Sequence, residues 1–300
     1  MKASGIIFFF FLLSVHLPAQ IIENAGGTAF TDDNFFNSSF IRTNKVQIIR
    51  GSVSTKREGE PMIQRSQFFH YEFDTKGRII LMMSTFASYS SNRDTTIIQF
   101  EYNDKGLLAT KRRNDNNGFY SYNYEYDSLG RLIKETYCRD ENCGIDRYHF
   151  KLGQRFVISS ETYSYHQYVK NQKVRKFYNN YGLQYQEEFS YYNELGYLTE
   201  EVLRLTLSGK ESKIQYEYDE KGRVSKKNDI SYVFGFNEIS NTYTYDKLGN
   251  LDEQAIFHNG KQKTLRSMLY DKTTYLMTAQ VMKDFETGLI YVFKYSYEFF

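Results

Sequence analysis

The chain has 300 residues, a formal charge of +2, 18% aromatic residues with 28 Tyr among them, and only 2 Pro and 2 Cys. Charge so evenly balanced gives no electrostatic reason for a nucleic-acid partner. Beyond the first residues no stretch is long and apolar enough for a membrane-spanning helix, which takes roughly 20 residues, so no helical membrane anchor is expected.

In chain order, residues 1–19 read as a signal peptide. Lys2 supplies the positive start, Ile6 to Leu13 an almost unbroken apolar run, and Ala19 the small residue at which cleavage would leave Gln20 first. The protein is thus expected to be exported, to the periplasm, the cell surface or the medium. Residues 20–65 show no regular pattern and are expected to form a few strands or a cap over the first sheet edge.

From residue 66 to residue 300 a repeat dominates. Residues 71–79 read YEFDTKGRI, 100–108 FEYNDKGLL, 124–132 YEYDSLGRL, 216–224 YEYDEKGRV and 243–251 YTYDKLGNL. Weaker copies lie at 178–184, at 192–198 and at 270–276, where Thr274 stands in the glycine place; 148–156 reads as a shortened copy. Alternating aromatics before the Asp have the period of a strand. Asp and Gly three apart suit a type I turn closed by a left-handed Gly and a G1 bulge. Each unit is therefore a hairpin. Asp74, Gly77, Gly106, Asp127, Gly130, Gly196, Asp219, Gly222, Asp246 and Gly249 are its structural turn residues. Gly130 and Gly222 are expected at positive φ and to tolerate substitution least. With Tyr126 opposite Leu132 and Tyr124 opposite Lys134, one face is aromatic and the other carries Glu125, Asp127, Arg131 and Glu135. Such ribbons must pair laterally to bury the aromatic face. The expected fold is all-β: tandem hairpins forming a long, twisted antiparallel sheet that curls on itself.

The units resemble the YD repeats of RHS-type proteins, from about Phe68 to the C-terminus. The resemblance implies spiralling β-sheet walls, which in large toxin members close into a shell around a toxic domain, and carbohydrate-associated, cell-surface or toxin-delivery roles. The Asp-Pro-x-Gly boundary of the toxins is missing, and residues 289–300 form a strand-like run with no appended domain, which argues against toxin delivery.

Chemistry is sparse. Cys138 and Cys143 are expected to form a disulfide across the neck of a hairpin loop. His70, His149, His166 and His258 lack metal-ligand spacing, and Asp115, Asn117 and Gly118 fail as a calcium loop because Arg113 and Tyr124 hold the key ligand places. Neither a metal nor a cofactor is expected. Glu187-Glu188 and Glu200-Glu201 are strand neighbours that point to opposite faces, so neither pair is itself a two-carboxylate site. Frame tyrosines are expected to be committed to packing, leaving Tyr163, Tyr165 and Tyr168 freer to meet a ligand. The leading expectation is a non-enzymatic exported scaffold or binding module for a surface glycan or an envelope protein. An outer-membrane β-barrel is the first alternative, opposed by Lys134 on the Tyr124 face and Lys226 on the Tyr218 face. A hydrolase with a dispersed carboxylate site is the second.

Overall fold

The computed structural model describes residues 38–86, 94–115 and 118–300, so the signal-like segment and the cleavage point at Ala19 lie outside the described residues. One short helix, α1 (Ser38–Thr43), precedes the strands β1 (Val46–Lys56), β2 (Ile63–Phe73), β3 (Ile79–Phe86), β4 (Asp94–Tyr102), β5 (Leu108–Asp115) and β6 (Gly118–Tyr126). Next come β7 (Leu132–Asn142), β8 (Leu152–His166), β9 (Gln172–Tyr178), β10 (Gln184–Tyr192), β11 (Leu198–Leu205) and β12 (Glu211–Tyr218). The last six are β13 (Val224–Ser231), β14 (Asn237–Tyr245), β15 (Leu251–His258), β16 (Lys261–Tyr270), β17 (Met277–Asp284) and β18 (Ile290–Phe299).

Every strand pairs antiparallel with the next, and β18 returns to β1 with Ile49 opposite Tyr297 and Gly51 opposite Tyr295. The sheet therefore curls until it closes, as an 18-stranded up-and-down β-barrel. Closure removes the exposed edges that a curled open sheet would keep. Of the region expected as strands or a cap, the described part supplies α1, β1 and the start of β2. β1 is the strand that completes the ring, paired with both β2 and β18.

The turn chemistry of the repeat is explicit. In the β6–β7 turn Asp127 N–H donates to Arg131 O and Gly130 N–H to Asp127 O, while Asp127 Oδ1 accepts from the amides of Leu129 and Arg131. Gly130 and Gly222 both have φ +77. Equivalent turns follow Asp74, Asn103, Asn193, Asp219 and Asp246, all at one rim of the barrel, hereafter the turn rim. The Asp271 turn is one residue longer, and Tyr275 rather than Thr274 takes the left-handed place at φ +58. The turn at Asn179 and Gly182 joins β9 to β10 at the opposite rim, which explains why it lies so close in sequence to the one at Gly196. Residues 148–156 are not a turn unit: they span a loop and the start of β8.

Each turn ends in a bulge, and this corrects the expected facing of charges. Tyr126 does oppose Leu132, but the register then slips by one, so Glu125 opposes Lys134 and Tyr124 opposes Glu135. Likewise Lys226 opposes Glu217, and Lys227 opposes Tyr216. The lysines named above thus leave the tyrosine face, and Glu135 and Lys227 take their place.

The tyrosine face is the inner one. Phe40 and Ile41 of α1 pack with Ile49, Tyr71, Phe73 and Leu276, so the helix touches the ring from β1 and β2 to the β16–β17 turn. An arc that wide converges on one short helix only from its concave side. A second cluster, Leu198, Tyr216, Val224 and Tyr243, buries the same face between β11 and β14. On the outer face Glu217 is 64% exposed on its side chain, whereas inward Tyr216 beside it is 7% exposed.

The expected disulfide does not form. Cys138 and Cys143 are both free, the first buried and the second exposed. β7 runs through Cys138 and past it to Asn142, so the two lie along one extended chain rather than across a hairpin. Five residues of strand span about 16 Å, well beyond the roughly 7 Å that a disulfide can bridge between Cα atoms.

Candidate functional site

The residues of the repeat form a relay that links each hairpin to the next. Asp219 Oδ2 accepts from Arg223, the guanidinium of Arg223 lies 4.2 Å from the ring centre of Tyr245, and Tyr245 Oη donates 2.7 Å to Val224 O. Asp74, Arg78 and Tyr102 repeat the arrangement, as do Asp127, Arg131 and Tyr165. Tyr126, Tyr218, Tyr270 and Tyr297 make the same phenol bond to the unit before. Burial pushes the Tyr102 phenol up to about 12, so it stays protonated and donates. Asp74 and Asp219 are held below the usual range because the Arg bonds outweigh their burial. These groups are committed to the wall.

At the turn rim one hairpin breaks the rule. Between β8 and β9 the chain runs Gln167, Tyr168, Val169, Lys170, Asn171, without the Asp and Gly, and Asn171 takes φ +62. A cavity of about 470 Å³ opens beside it, lined among others by Tyr165, Lys173, Arg175, Glu188, Tyr192 and Glu201. Strand alternation explains the set. Glu187 and Glu200 point outward, while Glu188 and Glu201 turn inward into the same cavity. Arg175, opposite Glu188 in the register, donates to it at 2.7 Å. Lys173 lies 4.6 Å over the Tyr192 ring, where an arginine stacks in other units.

Two carboxyls of this inner face are perturbed. Burial pushes Glu201 up, and the charge of Glu188 adds to it, while Tyr216 Oη donates to it at 3.0 Å. Glu135 is raised by burial and by Glu161 directly opposite it. For Arg175, burial acts downward but Glu188 outweighs it and keeps the cation.

The three tyrosines singled out in the sequence separate. Tyr165 lines the cavity but also holds a frame position, bonded to Leu132 O and covered by Arg131. Tyr163 packs edge-on against Phe177 and donates to Glu161, deeper in the barrel. Tyr168, 59% exposed in the irregular loop, stacks on His166. Sequence reasoning missed Lys173, Arg175 and Tyr192, and weighed Glu188 and Glu201 only within their own neighbouring pairs. The available signal was the loss of the turn motif after Tyr165. Among the described residues no group of His, Cys, Asp and Glu is arranged to hold a metal.

No family model matches the chain, and no curated protein matches it. Among solved structures it is similar to a porin-like protein from Bacteroides uniformis ATCC 8492, at 10% identity over 84% of this chain and 98% of that one, with a TM-score of 0.41. A porin-like protein from Bacteroides vulgatus ATCC 8482 is similar at 12% identity over 82% and 97%, with a TM-score of 0.34. TcdB2-TccC3 without its hypervariable C-terminal region is similar at 13% identity over 79% of this chain and 15% of that one, with a TM-score of 0.30.

Proposed function

We propose that the chain is an exported, non-enzymatic YD-repeat protein of the cell envelope whose barrel binds a glycan at the β8–β9 mouth. The observation that carries this reading is the coincidence of the cavity with the turn-rim hairpin that abandons the Asp–Gly turn. Irregular loops on a rigid regular wall are where binding groups accumulate. The lining suits vicinal hydroxyls: Arg175 and Glu188 offer paired planar donors and acceptors, Ser190 a hydroxyl, and Tyr165 and Tyr192 aromatic surface. Because Arg131 is paired with Asp127 and Arg175 with Glu188, the site is close to neutral, which favours an uncharged sugar.

A closed, even-stranded barrel is also what an outer-membrane protein requires. Its lipid face would have to be apolar, and this wall is not. Arg50, Lys176 and Glu187 point outward from mid-strand, whereas inward Glu135, Arg175 and Lys227 fit the polar interior of either kind of barrel. A Lys or Arg at the bilayer midplane costs about 2 to 4 kcal/mol, so the closure supports a membrane barrel and these outward charges count against it.

The test is a glycan array read at low and high salt, with fractionation of the host envelope. Binding should change little with salt. Lys173→Ala and Gln167→Ala should weaken it about tenfold, the order expected for losing one polar contact. Leu248→Ala, in the turn of another unit, should not. Absence of any retained glycan would sink the site, release of free sugar would make the protein a hydrolase, and detergent-dependent, heat-modifiable recovery would make it a membrane barrel.

A further inference from the structure

A barrel is free of edges only where neighbouring strands reach equally far. β8 has 15 residues and β9 has 7. β9 pairs with Thr162 to His166 alone, while β7 follows β8 out to Leu152. From residue 152 to residue 161, therefore, one side of β8 has no strand partner among the described residues, and the β7–β8 ribbon overhangs β9 at the rim opposite the turns. The overhang is apolar at its centre. Phe156 is 49%, Val157 65% and Ile158 50% exposed, and Ser159 and Ser160 complete a five-residue run without charge.

Soluble proteins protect such edges with charge, proline or short strands. The β1–β2 ribbon overhangs in the same way, because β2 pairs with β3 only from Phe69 onward, and there the overhang carries Gln64, Arg65, Ser66 and Gln67. On β8 two register slips against β7 interrupt the overhang, one that leaves Ile158 without a partner and one between Leu152 and Arg155.

We infer that this edge of β8 pairs with the same edge of a second copy of the chain, antiparallel, making a two-fold dimer. The occupant must be an extended backbone, because only that matches a row of alternating N–H and C=O groups. A second copy offers the same row, and a two-fold axis makes it self-complementary. Antiparallel pairing keeps the two Arg155 side chains, each held by Asp140 of its own chain, at opposite ends of the contact, whereas parallel pairing sets them together. Nothing between those ends repels a copy of itself. The glycan mouth lies at the other rim, so this inference stands apart from the proposed binding function.

Sedimentation of the exported protein over a wide concentration range tests it. The protein should sediment as a dimer. The double variant Val157→Lys/Ile158→Lys should be monomeric with unchanged melting, and Ser66→Lys on the guarded overhang should remain dimeric. Independently of any variant, amide exchange at residues 153–160 should slow as concentration rises. A protein that is monomeric throughout, a dimer that survives the double variant, or exchange at 153–160 that ignores concentration would each overturn the inference, as would pairing of this edge with a foreign strand alone.

Discussion

Gly77 and Gly182 hold the same left-handed backbone, φ +78 and +74, in turns with the same hydrogen bonds, yet their surroundings differ completely. A Cβ on Gly77 would stand 2.1 Å from Ser38 O and 2.8 Å from Arg42 N, inside the backbone of α1; a Cβ on Gly182 meets nothing within 4 Å. The φ strain, about 1 to 2 kcal/mol, is common to both. Gly77→Ala should therefore lose about 1 to 3 kcal/mol more than Gly182→Ala in urea unfolding, the range for forced overpacking. Equal losses would mean that α1 does not seat against this turn. Gly130, singled out from the sequence with Gly222, is milder: its added Cβ would make ordinary contact with Leu107 Cδ1 at 3.7 Å. The motif identifies a left-handed glycine wherever it occurs. Which glycine is crowded depends on a helix some 35 residues earlier, which periodicity cannot register.

At the scale of one element, β7 shows how a strand's length overrides a local reading. The run Cys-Arg-Asp-Glu-Asn-Cys-Gly has the polarity of a loop, yet residues up to Asn142 continue the ladder because Asp140 is satisfied inside it. Asp140 accepts from Arg155 at 2.7 Å and from Arg112 at 3.1 Å, and the Arg112 guanidinium lies 4.2 Å over the Phe150 ring of the following loop. A buried carboxylate paired this way persists where an unpaired one would not. Burial raises the Cys138 thiol, which further suppresses its thiolate. Thiol alkylation of the native protein should accordingly modify Cys143 alone, with Cys138 reacting only after unfolding. Modification of neither, reversed by reductant, would restore the disulfide that the strand geometry excludes.

For the whole molecule, carboxyls raised by burial on the inner face and carboxyls lowered by arginine partners set opposite pH slopes. Glu135 and Glu201 have folded pKa values raised above the ordinary 4.5, so their charged forms cost stability at neutral pH and the cost is relieved as pH falls toward 4.5. Asp74, Asp140 and Asp219 are lowered below 3.8, so their contribution is present above that pH and is lost as pH falls further. The melting temperature should rise modestly from pH 7 toward pH 4.5 and drop below 3.8, and Glu201→Gln should remove its share of the rise. A curve that falls steadily from neutrality would contradict the enclosure of the inner carboxyls.

The sequence by itself determined the all-β class, the hairpin unit and the turn residues, because all three follow from interactions within about ten residues: aromatic alternation, an Asp that binds its own turn amides, and a Gly that tolerates positive φ. The loss of the turn motif after Tyr165 is written in the sequence too, but nothing local says what it does. Only the tertiary structure decided the rest. One bulged residue per hairpin sends every following side chain to the other face, so the placement of Glu135 and Lys227 could not be read from alternation. Closure of the ring depends on β1 meeting β18, some 250 residues apart, through the summed twist of all the hairpins between. The meeting of Arg175, Glu188 and Glu201 in one cavity likewise requires three strands in register, a relation that no local pattern along the chain records.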